Sequence, residues 1–211
     1  MRAVVFDFGG VLITPITNQV GEVAQRHGVP MTTMLEVLLG PHDSGDHPWH
    51  RAERGEIAVA EIQGQLQPWA DQHGIRLAGD ELDAVLRPGG YRVVESMADK
   101  VAALKGSGTK TGLLTNTFAE FRPTMERDLR FADFTVIVES FAVGARKPEP
   151  AIYEATRVAL EVEHDEILYL DDFVQNIDMA AAFGWSTIHV TDPLAAIDAI
   201  DAALGSRPRT A

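Results

Sequence analysis

Val4-Val5-Phe6-Asp7-Phe8-Gly9-Gly10-Val11-Leu12 is the stretch that decides how this chain folds. Ala3 to Phe8 is a short β-branched and aromatic run, apolar at nearly every position, as expected of a strand covered on both faces. An acid interrupts its far end and two glycines follow at once. Open α/β sheets bind ligands at the carboxyl ends of their strands, so Asp7 stands where such sheets do their chemistry. An aspartate that merely caps a turn has the same local pattern, so Asp7 gains meaning only from its company.

Working outward, four more runs of this kind recur: Thr111 to Leu114, Thr135 to Val138, Ile167 to Leu170 and Thr187 to Val190. Helix-period segments lie between them. Tyr91 to Lys105 puts Val94, Met97, Val101 and Leu104 on one face, Pro150 to Leu160 does the same with Ile152, Ala155 and Ala159, and Asp192-Pro193 reads as a cap with a first-turn proline. Strands alternating with helices imply a doubly wound parallel α/β sheet. Pro15 to Arg87 breaks the alternation. It shows no convincing strand but helical spacing over Val20 to Arg26, Met34 to Leu39, Ile57 to Trp69 and Leu82 to Leu86. The expected organisation is a core domain of residues 1–14 and 89–211 with a helical insert of residues 15–88, returning through a hinge at Pro88-Gly89-Gly90.

The bulk properties bound what such a fold can do. At 211 residues, 45% hydrophobic and 23% charged, the chain can bury a substantial core; only Gly205 to Ala211 reads as a loose tail. Eighteen basic residues against 31 acidic give a formal charge of −13, which disfavours nucleic acid and anionic membranes as partners. With zero cysteines, disulfides, zinc–thiolate sites and thiol catalysis are excluded. The N-terminal apolar run is cut short by Asp7, unlike a signal peptide, and nothing approaches the roughly 18 apolar residues of a membrane helix. A cytoplasmic protein is the expectation.

Three further strand ends carry polar groups. Tyr169-Leu170-Asp171-Asp172 closes an apolar run with adjacent carboxylates, and Asn176 follows four residues on. Such a pair repels itself unless a cation or hydrogen bonds intervene, and hard oxygen ligands suit magnesium; two solvated turn acids are the plain alternative. Thr115 and Asn116 end another strand with a hydroxyl, an amide and backbone N–H groups, an anion cradle. Arg146-Lys147-Pro148-Glu149-Pro150 holds Lys147 before a proline-opened helix. Each of these alone could be a cap or surface turn.

Taken together and in this order, Phe-Asp-Phe-Gly-Gly-Val-Leu, Thr-Asn, Arg-Lys-Pro and Leu-Asp-Asp resemble the haloacid dehalogenase-like hydrolase superfamily, with a Rossmann-like core and a first-position helical cap. Pro48 to Ile57 is similar to the branch that contains the phosphatase domain of soluble epoxide hydrolase and bacterial sugar-phosphate phosphatases. The resemblance implies a Mg²⁺-dependent hydrolase of small phosphorylated metabolites. Asp7 would be the nucleophile that forms an aspartyl-phosphate. Asp7, Asp172 and the Gly9 carbonyl would hold Mg²⁺, with Asp171 supporting or sharing that site and Asn176 behind it. Thr115, Asn116 and Lys147 would bind and neutralise the transferring oxygens.

Gly9 departs from the pattern, because most phosphatases of the superfamily carry there a second Asp that serves as general acid and base. Either a cap histidine, His42, His47 or His50, replaces it, or the substrate has a good leaving group. Trp49 and Trp69 are candidates for a pocket wall or for cap core, and Arg51 and Arg54 for anion contacts or solvated helix charges. Two other readings stay open: a metal-independent 2-haloacid dehalogenase, and a non-catalytic metabolite-binding relative.

Overall fold

The computed structural model describes residues 1–41, 45–87 and 89–205; His42, Pro88 and the expected tail beyond Gly205 lie outside the described residues. Strands β1 (Ala3–Phe6), β2 (Lys110–Thr115), β3 (Val136–Glu139), β4 (Ile167–Asp171) and β5 (Ser186–His189) form one sheet in the order β3-β2-β1-β4-β5. All pairings are parallel, with Val5 opposite Gly112 on one side and Tyr169 on the other. The chain builds outward from β1 to β3, then returns to lay β4 on the other flank of β1. That reversal opens a crevice at the carboxyl ends of β1 and β4, the place where open sheets take ligands.

The helices are α1 (Thr17–His27), α2 (Met31–Leu38), α3 (Pro48–Glu53), α4 (Val59–Ile62), α5 (Gln67–Asp71), α6 (Glu81–Val85), α7 (Glu95–Gly106), α8 (Arg122–Asp128), α9 (Ser140–Val143), α10 (Pro150–Leu160), α11 (Val174–Ala182) and α12 (Pro193–Gly205). Strand alternation sorts the apolar residues into two cores. Val4, Phe6, Leu113 and Leu170 pack with α7 and α12, whereas Ala3, Val5, Leu114 and Tyr169 pack with α10 and α11. A third cluster joins α1 to α6, through Val20, Met34, Trp49, Ile62 and Leu82, and takes in Phe118 from the loop after β2. This is the α/β architecture read from the sequence.

Several elements differ from the sequence reading, among them α3, which helical spacing does not mark. β1 stops at Phe6, so Asp7 begins the turn. The helix expected from Tyr91 begins at Glu95, because the Val94 N–H donates instead to the Leu12 carbonyl (2.8 Å). Ile57 to Trp69 is not one helix but α4, a 3₁₀ turn over Gln63–Gln65 and α5; Pro68 has no N–H to continue a helix and opens a new one. No helix among the described residues is long and apolar enough to cross a membrane.

Candidate active site

Asp7 follows β1 directly, and its N–H donates to the Leu170 carbonyl (2.9 Å), tying the turn to β4. Asp171 ends β4 and Asp172 is next in the chain. Lys147 enters from the loop between α9 and α10, fully buried, with Nζ 2.7 Å from Asp7 Oδ1 and 2.7 Å from Asp171 Oδ2. Asn116 fixes that loop: its carboxamide accepts from the Lys147 N–H (2.7 Å) and donates to the Lys147 carbonyl (3.0 Å). The side chain expected to touch substrate is therefore engaged in holding the lysine. Thr115, one residue earlier, faces the same crevice, its hydroxyl donating to the Asn116 carbonyl (3.3 Å).

The two adjacent acids have different surroundings. Asp171 is saturated: the Phe173 N–H (2.8 Å) and Asn176 Nδ2 (3.1 Å) donate to Oδ1, while Lys147, Asn176 Nδ2 (3.0 Å) and the Tyr169 hydroxyl donate to Oδ2. Asp172 Oδ1 and Asn176 Oδ1 are instead buried acceptors without a hydrogen-bond partner. Asp7, Asp171 and Asp172 each offer an oxygen within 4.8 Å of the others. Orphaned acceptors beside clustered carboxylates are costly unless a cation or donor meets them, and the donor set, all hard oxygen, fits Mg²⁺. The backbone is shaped around this group. Gly10 has φ +69°, and a Cβ there would fall 2.0 Å from Asp172 Oδ2, so only glycine lets that carboxylate lie over the turn.

Burial raises the Asp7 carboxyl to about 8; Lys147 opposes the shift, and Asp171 and Asp172 add to it. Burial and then Asp171 carry Asp172 up to about 7, again against Lys147. For Lys147 burial favours the neutral amine, but Asp171 and Asp7 outweigh it and the net shift is upward. Three carboxylates thus share one ammonium in a site short of positive charge.

Comparison with known proteins gives this arrangement a lineage. Residues 1–184 match the haloacid dehalogenase-like hydrolase family. The chain belongs to that family. It is 30% identical to the sesquiterpene phosphatase astK of Aspergillus oryzae over 92% of each chain, and 31% identical to acyl-CoA dehydrogenase family member 10 of Mus musculus over 97% of this chain but 19% of that protein. Bifunctional epoxide hydrolase 2 of Sus scrofa is 27% identical over 97% of this chain and 39% of its own length. The chain thus spans well under half of two of these three relatives. Among solved structures, a family enzyme from Bacteroides thetaiotaomicron in complex with magnesium and inorganic phosphate shares the fold, at 18% identity and TM-score 0.64 over 91% of this chain and 96% of that one.

In this haloacid dehalogenase-like hydrolase a cavity of about 570 Å³ opens from Asp7 and Lys147 toward α1, α2, α3 and α6. The residues proposed from sequence for the helical side divide at its wall. Trp49 and His50 line it; Trp69, Arg51 and Arg54 do not. Trp69 packs on the His47 ring, centroids 4.6 Å apart, while Arg51 bonds Gln65 and Arg54 bonds Glu56 and Glu149. His47 is also structural: its Nδ1 accepts from the Trp49 N–H (3.2 Å) at the start of α3, its Nε2 lies 3.2 Å from the Val37 carbonyl, and burial lowers it to about 4.

Several residues facing the site went unassigned in the sequence. Arg146, neighbour of Lys147, is buried against Glu53 (Nε to Oε2, 2.6 Å), and Glu53 Oε1 accepts from Trp49 Nε1 (2.8 Å). The i, i+4 spacing of Trp49 and Glu53 was a legible signal for half of that network. Tyr169 and Asp171, two apart on β4, share a strand face, so their contact was legible as well, whereas Gln19 on the cavity wall had no such signal.

Proposed function

We propose that this hydrolase is a Mg²⁺-dependent phosphomonoesterase that works through an aspartyl-phosphate on Asp7. The observation that carries the reading is the group of buried Asp7, Asp171 and Lys147 and half-buried Asp172 at the foot of the cavity, with Lys147 Nζ 2.7 Å from Asp7 Oδ1. Asp7, Asp172 and the Gly9 carbonyl would hold the metal. Bound Mg²⁺ would supply the missing positive charge, offsetting repulsion between the Asp7 carboxylate and an incoming phosphate. Asp171 has its oxygens taken up by donors; its part is to hold and charge Lys147, with Tyr169 and Asn176 fixing it in turn.

An Asp7 carboxylate oxygen attacks phosphorus, the ester P–O bond breaks, and the alcohol oxygen departs with a proton. Water then attacks the phosphorus of the acyl phosphate, releasing inorganic phosphate and restoring Asp7. Lys147 and Thr115 meet the charge on the transferring oxygens; Asn116 acts by bracketing the Lys147 backbone. Gly9 offers no proton, and His50 is the described histidine that faces the cavity, so the general-acid role falls to it. Residues 15–88 form the cap over a core of 1–14 and 89–211, and exclude water during transfer. The Aspergillus relative, a sesquiterpene phosphatase, and the Bacteroides family enzyme in complex with magnesium and inorganic phosphate support this chemistry.

The test is phosphate release from a panel of phosphomonoesters with and without Mg²⁺. Metal-dependent release by the parent protein that is abolished in Asp7→Asn is expected. Halide release from 2-haloacids without metal, or ligand binding without turnover, would replace the reading with the dehalogenase or the binding protein.

A further inference from the structure

From the contacts of α3 we infer that Glu53 and Arg54 of the helical layer are positioning residues for Lys147, gripping the loop that carries it at two points. Lys147 lies between two residues of opposite sign, Arg146 and Glu149. Glu53 and Arg54, consecutive in the chain where α3 ends, meet them in the complementary order. Glu53 Oε2 accepts from Arg146 Nε (2.6 Å), with both side chains buried, and Arg54 Nη1 donates to Glu149 Oε1 (3.1 Å). The two pairs are joined, because Glu149 Oε2 accepts from the Arg146 N–H (3.0 Å).

The grip is anchored within the helical layer. Trp49 Nε1 donates to Glu53 Oε1 (2.8 Å), and Arg54 donates also to Glu56 and to the Gly45 carbonyl. Gly55, next in the chain, has φ +73°, and a Cβ there would fall 2.8 Å from the Phe141 carbonyl oxygen in α9, so glycine lets α3 end against the helix from which the lysine loop departs. Asn116 brackets the Lys147 backbone from the core side. A lysine stem is flexible, so where its ammonium rests depends on how firmly its backbone is held. Arg146 and Glu53 line the cavity beside Lys147, yet they are paired with each other, and their part is to hold the lysine. The full grip exists only while α3 is seated on the loop, which ties the placement of Lys147 to a closed cavity. The consequence for turnover rests on the phosphomonoesterase reading, whereas the placement itself does not.

The experiment compares the parent chain with Arg54→Met, Glu149→Met, the double variant and Arg54→Lys. The Glu149 side chain is 39% exposed and Arg54 keeps Glu56 as a partner, so neither single loss strands a buried charge; circular dichroism checks the fold. Lys147 is read directly by acetylation with acetic anhydride and mass spectrometry, with exposed Lys105 as the internal reference. In the parent Lys147 should label far more slowly than Lys105, and in both methionine variants its rate should rise toward that reference. Arg54→Lys keeps a cation for Glu149 and should stay slow. Turnover of p-nitrophenyl phosphate with Mg²⁺ should fall in step, by about 10- to 100-fold in kcat for a group displaced by about 1 Å, with KM little changed. The double variant should lose no more than the worse single one, as coupled residues do. Lys147 labelling that stays at the parental rate, losses that multiply in the double variant, or a parental kcat despite faster labelling would each overturn the proposal. A parent chain that releases no phosphate removes the phosphatase reading instead, and the labelling rates alone then decide whether the grip exists.

Discussion

Gly9 and Gly10 are neighbours of the same residue type, yet the structure gives them opposite tolerance for a side chain. A Cβ at Gly10 would fall on Asp172 Oδ2 at 2.0 Å with φ at +69°, whereas a Cβ at Gly9 has nothing within 4 Å. Gly10→Ala should therefore displace Asp172, weakening Mg²⁺ binding at least about tenfold by calorimetry and lowering kcat/KM in step, while circular dichroism still reports a folded chain. Gly9→Asp should be accommodated and place a carboxyl group at the cavity foot. If His50 is a weaker proton donor than a carboxyl group at this place, kcat on phosphomonoesters should rise toward the roughly 10²-fold lower end of general acid–base catalysis; an unchanged kcat would sink that idea. Asp7, Lys147 and Asp172 were legible as residues because strand ends punctuate the sequence. The saturation of Asp171, and the use of Asn116 to clamp a lysine 31 positions away, were not, since both depend on which loops the fold brings together.

At the scale of elements, α3 joins the helical layer to the lysine loop, and it does so with buried polar groups. Its first contact is His47, whose ring receives the Trp49 N–H. Burial, with nearby His50, lowers His47 from 6.5 to about 4, so the unfolded chain binds this proton more readily than the folded one. The stabilisation it gives is complete above about pH 6.5 and is lost as pH falls toward 4. Urea unfolding at pH 7 and pH 4.5 should show that loss, and His47→Gln should make the pH dependence shallower; an equal slope in the variant would assign the acid sensitivity elsewhere. The last contact of α3 is Glu53. Glu53→Ala would strand the Arg146 guanidinium in a buried setting, a cost of about 3–5 kcal/mol for a broken buried pair, readable as a lower urea midpoint with an unchanged m-value. Helical spacing marked Val20 to Arg26, Met34 to Leu39, Ile57 to Trp69 and Leu82 to Leu86 in the sequence, but passed over α3 itself. It did not show that Pro68 splits the Ile57 to Trp69 segment, nor which helix would face the core, because periodicity reports a buried stripe and not its partner.

Across the whole molecule, two cores grip the sheet and a third binds the helices together, with the cavity lying between them. Near-continuous apolar strands made a sheet covered on both faces readable in the sequence. The character of the cavity was not readable, because its apolar wall draws on segments far apart in the chain, with Ile13 and Ile16, Leu35 and Leu39, Val85, and Phe118 and Phe121 each looking like ordinary core. The acidic excess of −13 also takes on a local meaning. Three of those carboxylates surround one ammonium at the crevice, where burial opposes their charge. A folded chain that confines carboxylates in this way is destabilised by them until a cation arrives, whereas the unfolded chain holds them apart in water and gains little from the same ion. Mg²⁺ binding should therefore appear as stability. At 100 times its dissociation constant the ion should contribute about 2.7 kcal/mol, and at about 2–4 °C per kcal/mol for a domain of this size the unfolding midpoint should rise by about 5–11 °C. Asp172→Asn should remove most of that rise. Arg54→Lys, away from the cavity, should keep it. A midpoint that does not respond to Mg²⁺ at neutral pH would mean that Lys147 alone balances the group, and the metal-dependent chemistry would have to be abandoned.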